Sequence, residues 1–95
     1  MIRNIIFSKI DGQFVSESIQ LAGGSSCLHL EFFGKVRNRC ITLLQSIDGD
    51  VFIPFDYNSY VAVAWEKNIT VGIPGQYIRV ECTTEPEVAK FLESE

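Results

Sequence analysis

His29 is the only histidine of the chain, and Cys27, Cys40 and Cys82 are its strongest potential nucleophiles. General acid/base work commonly uses a histidine with an oriented partner. A Cys–His pair would need His29 to meet Cys40 or Cys82, and nothing in their spacing requires that meeting. The cysteines lack the helix N-terminus or dense basic setting that lowers a thiol pKa. A cysteine metal site needs four ligands at paired spacings, which three isolated cysteines do not supply. Their odd count argues for reduced thiols packed in strands, with no disulfide framework. Asp48 and Asp50 flank Gly49, but the stretch lacks the ligand spacing of a calcium loop. Gly23-Gly24 lacks the lysine that follows a phosphate loop. No catalytic group, metal site or cofactor site is expected.

The elements around these residues are read from alternation and turns. Ile2–Ser8 is a short β-type run, Asp11-Gly12 is a turn signal, and 22–26 is a glycine–serine break. From Cys27 to Phe33 the chain alternates, with Leu28, Leu30 and Phe32 on one face and His29, Glu31 and Phe33 on the other. Asp48-Gly49, between the apolar runs 40–44 and 51–55, signals a β-hairpin. A two-residue loop there would set Leu44 opposite Ile53 and Thr42 opposite Phe55. A longer loop would slip the register and exchange the faces. Residues 60–65 alternate, Glu66-Lys67-Asn68 reads as a turn, and Ile69 to Val71 resume. Ile73-Pro74-Gly75-Gln76 fits a type II turn, and Tyr77–Cys82 follows as a strand. Residues 86–92 fit a closing strand or a capped helix, and the strand agrees better with the turn-bounded strands before it. The expectation is all-β: one domain over residues 1–95, a small antiparallel β-sandwich, Ig-like or jelly-roll-like, of about seven to eight short strands.

Composition narrows the function. A net charge of −4 opposes nucleic-acid binding, which needs clustered Lys and Arg. The one basic cluster, Lys35, Arg37 and Arg39, reads as a solvated face. No run approaches the ~18 apolar residues of a membrane span, and the first residues lack the pattern of a secretory signal. A chain made in a cytoplasm, or packaged from there, is expected. Apolar residues make up 46% of the chain, and seven residues are Phe. The Asp48-Gly49 hairpin is apolar on both faces, with Ile41, Leu43 and Ile47 on one and Leu44 on the other. A strand apolar on both faces is covered twice, and in so short a chain the second cover can be another chain. Phe33, Ile41, Leu43, Phe52, Tyr57 and Tyr60 are therefore the candidate interface residues. Tyr57, Tyr60 or Trp65 would alternatively serve as a stacking platform for a sugar or other ligand.

At Ser46-x-Asp48-Gly49-x-x-Phe52, at 65–69 and at Pro74-Gly75-Gln76-Tyr77-Ile78-Arg79-Val80, the chain resembles small β-sandwich proteins of tailed-bacteriophage particles. Capsid decoration proteins and head-fibre or tail accessory domains are among these. The resemblance spans roughly residues 16–92 and rests on turn chemistry that other sandwiches share. It implies a non-enzymatic structural protein of the virion, synthesised in the host cytoplasm. Such a protein would form a homo-oligomer, a trimer foremost, in contact with other virion proteins such as a major capsid protein.

Overall fold

Ile78, Val80 and Cys82 alternate with Tyr77, Arg79 and Glu81. In a strand this spacing sends the apolar trio to one face. The computed structural model describes residues 2–33, 39–59 and 61–93, and in it the trio is buried while its alternates are half-buried. The described residues form ten strands and no helix: β1 (Ile2–Asn4), β2 (Phe7–Ile10), β3 (Gln13–Ser16), β4 (Ile19–Gln20), β5 (Gly24–Glu31), β6 (Ile41–Ser46), β7 (Ile53–Asn58), β8 (Ala64–Gly72), β9 (Tyr77–Cys82) and β10 (Val88–Glu93).

Two antiparallel sheets pack into a small β-sandwich. Sheet A runs β1-β10-β5-β8, and sheet B runs β2-β3-β9-β6-β7, with β4 also paired to β9. Leu28, Leu30 and Phe91 of sheet A meet Ile41, Leu43, Ile78, Val80 and Cys82 of sheet B in one core. Removing each large aliphatic or aromatic side chain from water stabilises the fold by about 1.5–3 kcal/mol.

The strand count exceeds the expected seven or eight because the first run splits at Ile5-Ile6, sending β1 and β2 to different sheets, and because β4 is only two residues long. Ser16, the last residue of β3 before the break to β4, accepts the Val80 N–H through Oγ at 2.8 Å, a bond that an unbroken strand would make with its backbone. The closing segment is a strand. Glu66-Lys67-Asn68 is not the expected turn but the middle of β8. Its charges have partners in the sheets: Glu66 pairs with His29, and Lys67 Nζ lies 3.6 Å from Asp56. Gly75 has φ +89 and Gln76 N–H donates to Ile73 O at 3.0 Å, which closes the turn expected at Pro74-Gly75.

The hairpin register follows the longer-loop alternative. Gln45 pairs with Ile53 and Leu44 with Pro54; a bulge at Phe55 then puts Leu43 opposite Asp56 and Thr42 opposite Tyr57. Ile41 and Leu43 point into the core. Leu44 faces outward yet is only 7% exposed. The chain covers that face itself: Arg79, paired with Leu44 across the ladder, stacks its guanidinium 4.0 Å from the Phe52 ring on the returning loop.

The terminal strands of the two sheets, β1, β8, β2 and β7, carry devices that discourage strand addition, and β4, which pairs only with β9, is two residues long. Arg3 of β1 lies over Phe91, and Lys9 of β2 lies over Phe14. Lys67 of β8 shares its register row with the core residue Leu28, and β7 carries Pro54 and the bulge.

Candidate interaction surface

The β6–β7 connection, Ser46 to Phe52, is a loop built from two side chains. Ser46 Oγ–H donates to Asp48 Oδ1 at 2.8 Å and accepts the Asp48 and Gly49 amides at 3.3 and 2.9 Å. Asp48 Oδ1 also accepts the Asp50 and Val51 amides at 2.9 and 3.1 Å. The Asp50 amide foremost, then the Ser46 hydroxyl and the Val51 amide, hold the Asp48 carboxyl below its ordinary value. Gly49 has φ +80 and rests on Tyr77, where an added Cβ would stand 3.0 Å from ring Cε1. The loop is thus pinned from within and from beneath.

What this rigid loop presents is apolar. Ile47 is 90% exposed, and Val51, Ile53 and Ile73 are exposed beside it. Ile47 forms the ridge between two hollows. One, of about 300 Å³, is lined by Gln45, Ile47, Asp48, Val51, Ile53 and Gln76. The other, of about 190 Å³, is lined by Ile47, Ile73, Pro74, Gly75 and Gln76. Neither has a Lys or Arg in its lining among the described residues. Gln76 Nε2 donates to Gln45 Oε1 at 3.0 Å and fixes the floor between them.

The structure redistributes the expected interface residues. Ile41 and Leu43 are fully buried in the core, so no partner reaches them; they lie opposite Cys82 and Val80 of β9 and share their inward face. Phe52 is half-buried against Arg79. Phe33 and Tyr57 are exposed, but toward the end of the sandwich away from Ile47. At that end Phe32 N–H bonds to Val63 O and Asn58 pairs with Ile41. Tyr60, Lys35 and Arg37 lie outside the described residues. Trp65, one of the proposed stacking platforms, packs against the core. Ile47, Val51, Ile53 and Ile73 were missed as a group; their signal was their position beside the two turn dipeptides, Asp48-Gly49 and Pro74-Gly75.

His29 does not meet Cys82, a meeting that the spacing did not require. It lies on the outer face of sheet A, whereas Cys82 points into the core from sheet B, where burial pushes its thiol up to about 12. Its neighbours are Glu31 and Glu66, each with a carboxylate oxygen 2.7 Å from one ring nitrogen. An ionised carboxylate only accepts, so both contacts are hydrogen bonds only when both nitrogens donate, and the two carboxylates favour the imidazolium form. The Glu31 hydrogen bond, with help from Glu66, holds its pKa above 6.5 despite burial. Cys27, two residues before it on the same face, has its thiol pushed up by burial and then by Glu66. A protonated thiol beside a saturated imidazolium is the reverse of an activated nucleophile pair. Cys27, His29 and Glu66, with Ile2, Lys90 and Leu92, line a shallow hollow of about 260 Å³.

Fold and surface together define a small β-sandwich that presents an apolar hairpin tip. No family model matches the chain, and no curated protein or solved structure does so either.

Proposed function

We propose that this chain is a non-enzymatic structural protein that acts by docking its β6–β7 tip onto another protein. The observation that carries the reading is Ile47, 90% exposed at the crest of a loop that its own hydrogen bonds hold rigid. A rigid apolar crest binds without paying to order itself on contact. The guarded sheet edges favour contact through side chains over β-strand addition. Together with the phage-like turn motifs, this supports an accessory or decoration role on a virion, as a homo-oligomer, trimer foremost, against a major capsid or other virion protein.

Mass spectrometry of particles purified from the phage or prophage that carries this gene tests the reading. The expected result is the chain in stoichiometric amount, lost from particles when Ile47→Asp replaces it. Particles that lack the chain, or that retain the Ile47→Asp variant at full occupancy, overturn the proposal.

A further inference from the structure

The tip has a complement elsewhere on the same chain. Its crest is apolar and acidic: Ile47 and Val51 stand beside Asp48 and Asp50, with no cation in the lining. Packing tip against tip in a two-fold dimer would set these carboxylates against their own copies, which is unfavourable. The hollow on sheet A has the opposite character. Ile2, 65% exposed, and Leu92, 46% exposed, form its apolar wall together with half-buried Cys27. Its cations are Lys90 and the His29 imidazolium. Its acids, Glu66 in the lining and Glu31 at its edge, both spend their carboxylates on His29. Lys90, opposite His29 in the ladder, makes no ion pair among the described residues. With His29 protonated, the described residues of the hollow therefore sum to no net charge, with one ammonium uncommitted, against two negative charges at the tip.

A chain cannot fill its own hollow. The β6–β7 loop folds over the outer face of sheet B, where Gly49 covers Tyr77, and the hollow opens on the outer face of sheet A. We infer that the tip of one copy seats in the sheet-A hollow of the next, with Ile47 against Ile2 and Leu92 and with Asp50 facing Lys90. The occupant is a second copy of this chain. The contact joins two different surfaces, so it propagates head to tail and closes into a ring, or runs on as a filament, according to the rotation per step. The inference rests on the proposed function only in taking the tip as the contact surface.

Complementary variants test it by sedimentation velocity on the full chain. The wild type should associate beyond a dimer. Ile47→Asp, which spoils the tip, and Leu92→Asp, which spoils the hollow, should each weaken association about tenfold or more. An equimolar mixture of the two should form a 1:1 dimer and stop there, because it holds one intact tip and one intact hollow. Ile2→Asp, at a more exposed position, repeats the hollow arm should Leu92→Asp lose its thermal transition. The charge pair is read separately: Asp50→Lys and Lys90→Glu should each weaken association, and the double variant should recover it. A wild type that stays monomeric at high concentration overturns the inference, as does a mixture that fails to dimerise. In either case, loss of Ile47→Asp from particles would still leave the docking role standing.

Discussion

Asp11-Gly12 and Asp48-Gly49 each lie between two strands that pair with one another, yet the chain folds them differently. At the first, Ile10 pairs with Gln13, and the two residues between have φ of 51° and 79°. Both values are positive, as in the type I′ hairpin turn, and the loop is as short as a hairpin allows. At the second, the last pair is Gln45 with Ile53, and seven residues lie between. Gly49 takes a positive φ there, but Asp48 does not. The difference lies outside the dipeptide. Ser46 and Asp48 form a local net that satisfies four amides of a wider loop, and Gly49 gains a seat on Tyr77. The tight turn merely reverses the chain. The wide one has room to carry Ile47 and Val51 into solvent, so the second dipeptide makes a surface where the first makes only a bend.

The largest expected effect separates the strand behind the wide loop from the loop itself. Leu43→Ala should lower stability by about 2–5 kcal/mol in urea unfolding, because it empties core volume. Ile47→Asp, four residues on and almost wholly exposed, should change stability by no more than about 0.5 kcal/mol. Comparable losses at the two sites would mean that the loop belongs to the core, and would remove the distinction between strand and surface.

The glycines come next. An alanine at either position meets the left-handed penalty of roughly 1–2 kcal/mol. At Gly12 an added Cβ meets nothing within 4 Å, so Gly12→Ala should cost about that much and no more. At Gly49 the Cβ would press on the Tyr77 ring, so Gly49→Ala should cost about 2–3 kcal/mol by the same measurement. Equal costs would mean that Tyr77 yields freely and that the loop is not seated on it.

This comparison also shows how far the fold was legible. Alternation in Tyr77–Cys82 and around Leu28 and Leu30 placed strands correctly, because period two has one physical reading on a half-buried sheet. The Pro74-Gly75 turn was equally legible, since only certain residues tolerate its φ values. Residue types leave the hairpin register open between two alternatives, because loop width depends on Ser46 and Tyr77, the latter distant in sequence. That choice decides which β7 residues share the inward face of β6; Leu43 is core because it lies opposite Val80 of β9, a partner equally distant in sequence. Glu66-Lys67-Asn68 was misread as a turn for a related reason: its partners, His29 and Asp56, are long-range. The exposed site was the least legible, because exposure of Ile47 follows from the loop path and not from residue type.

Titration separates the sheet-A hollow from the tip. His29 is the only histidine, so its imidazole proton resonances report one site. Its folded pKa is raised, so its contribution to stability is complete below the unfolded value near 6.5 and is lost as pH rises through the folded value. The charges around it are Glu31 on β5, Glu66 on β8 and Lys90 on β10, with the Cys27 thiol beside it. Thermal melts should show a modest fall in Tm on the alkaline side that is absent from His29→Gln. The same deprotonation leaves the hollow more negative, so head-to-tail association should weaken over the same pH range. An NMR midpoint at or below 6.5 would contradict the double carboxylate grip.

The smallest effect lies at acid pH and returns to the two aspartates. The Asp48 carboxyl is held low by amide and hydroxyl donors, so its contribution is present above the unfolded value and is lost as pH falls through the folded one. Asp11 makes no side-chain hydrogen bond among the described residues; its role is conformational, a left-handed φ that asparagine also accepts. Asp48→Asn keeps an oxygen to accept the Asp50 and Val51 amides but removes the ionisable group. It should flatten the acid limb of a Tm-against-pH curve measured from pH 6 downward, while Asp11→Asn should change stability at neutral pH by no more than about 0.5 kcal/mol. An acid limb that Asp48→Asn leaves unchanged would mean that the net holds the wide loop without the carboxylate's charge, and that the two turns differ in width alone.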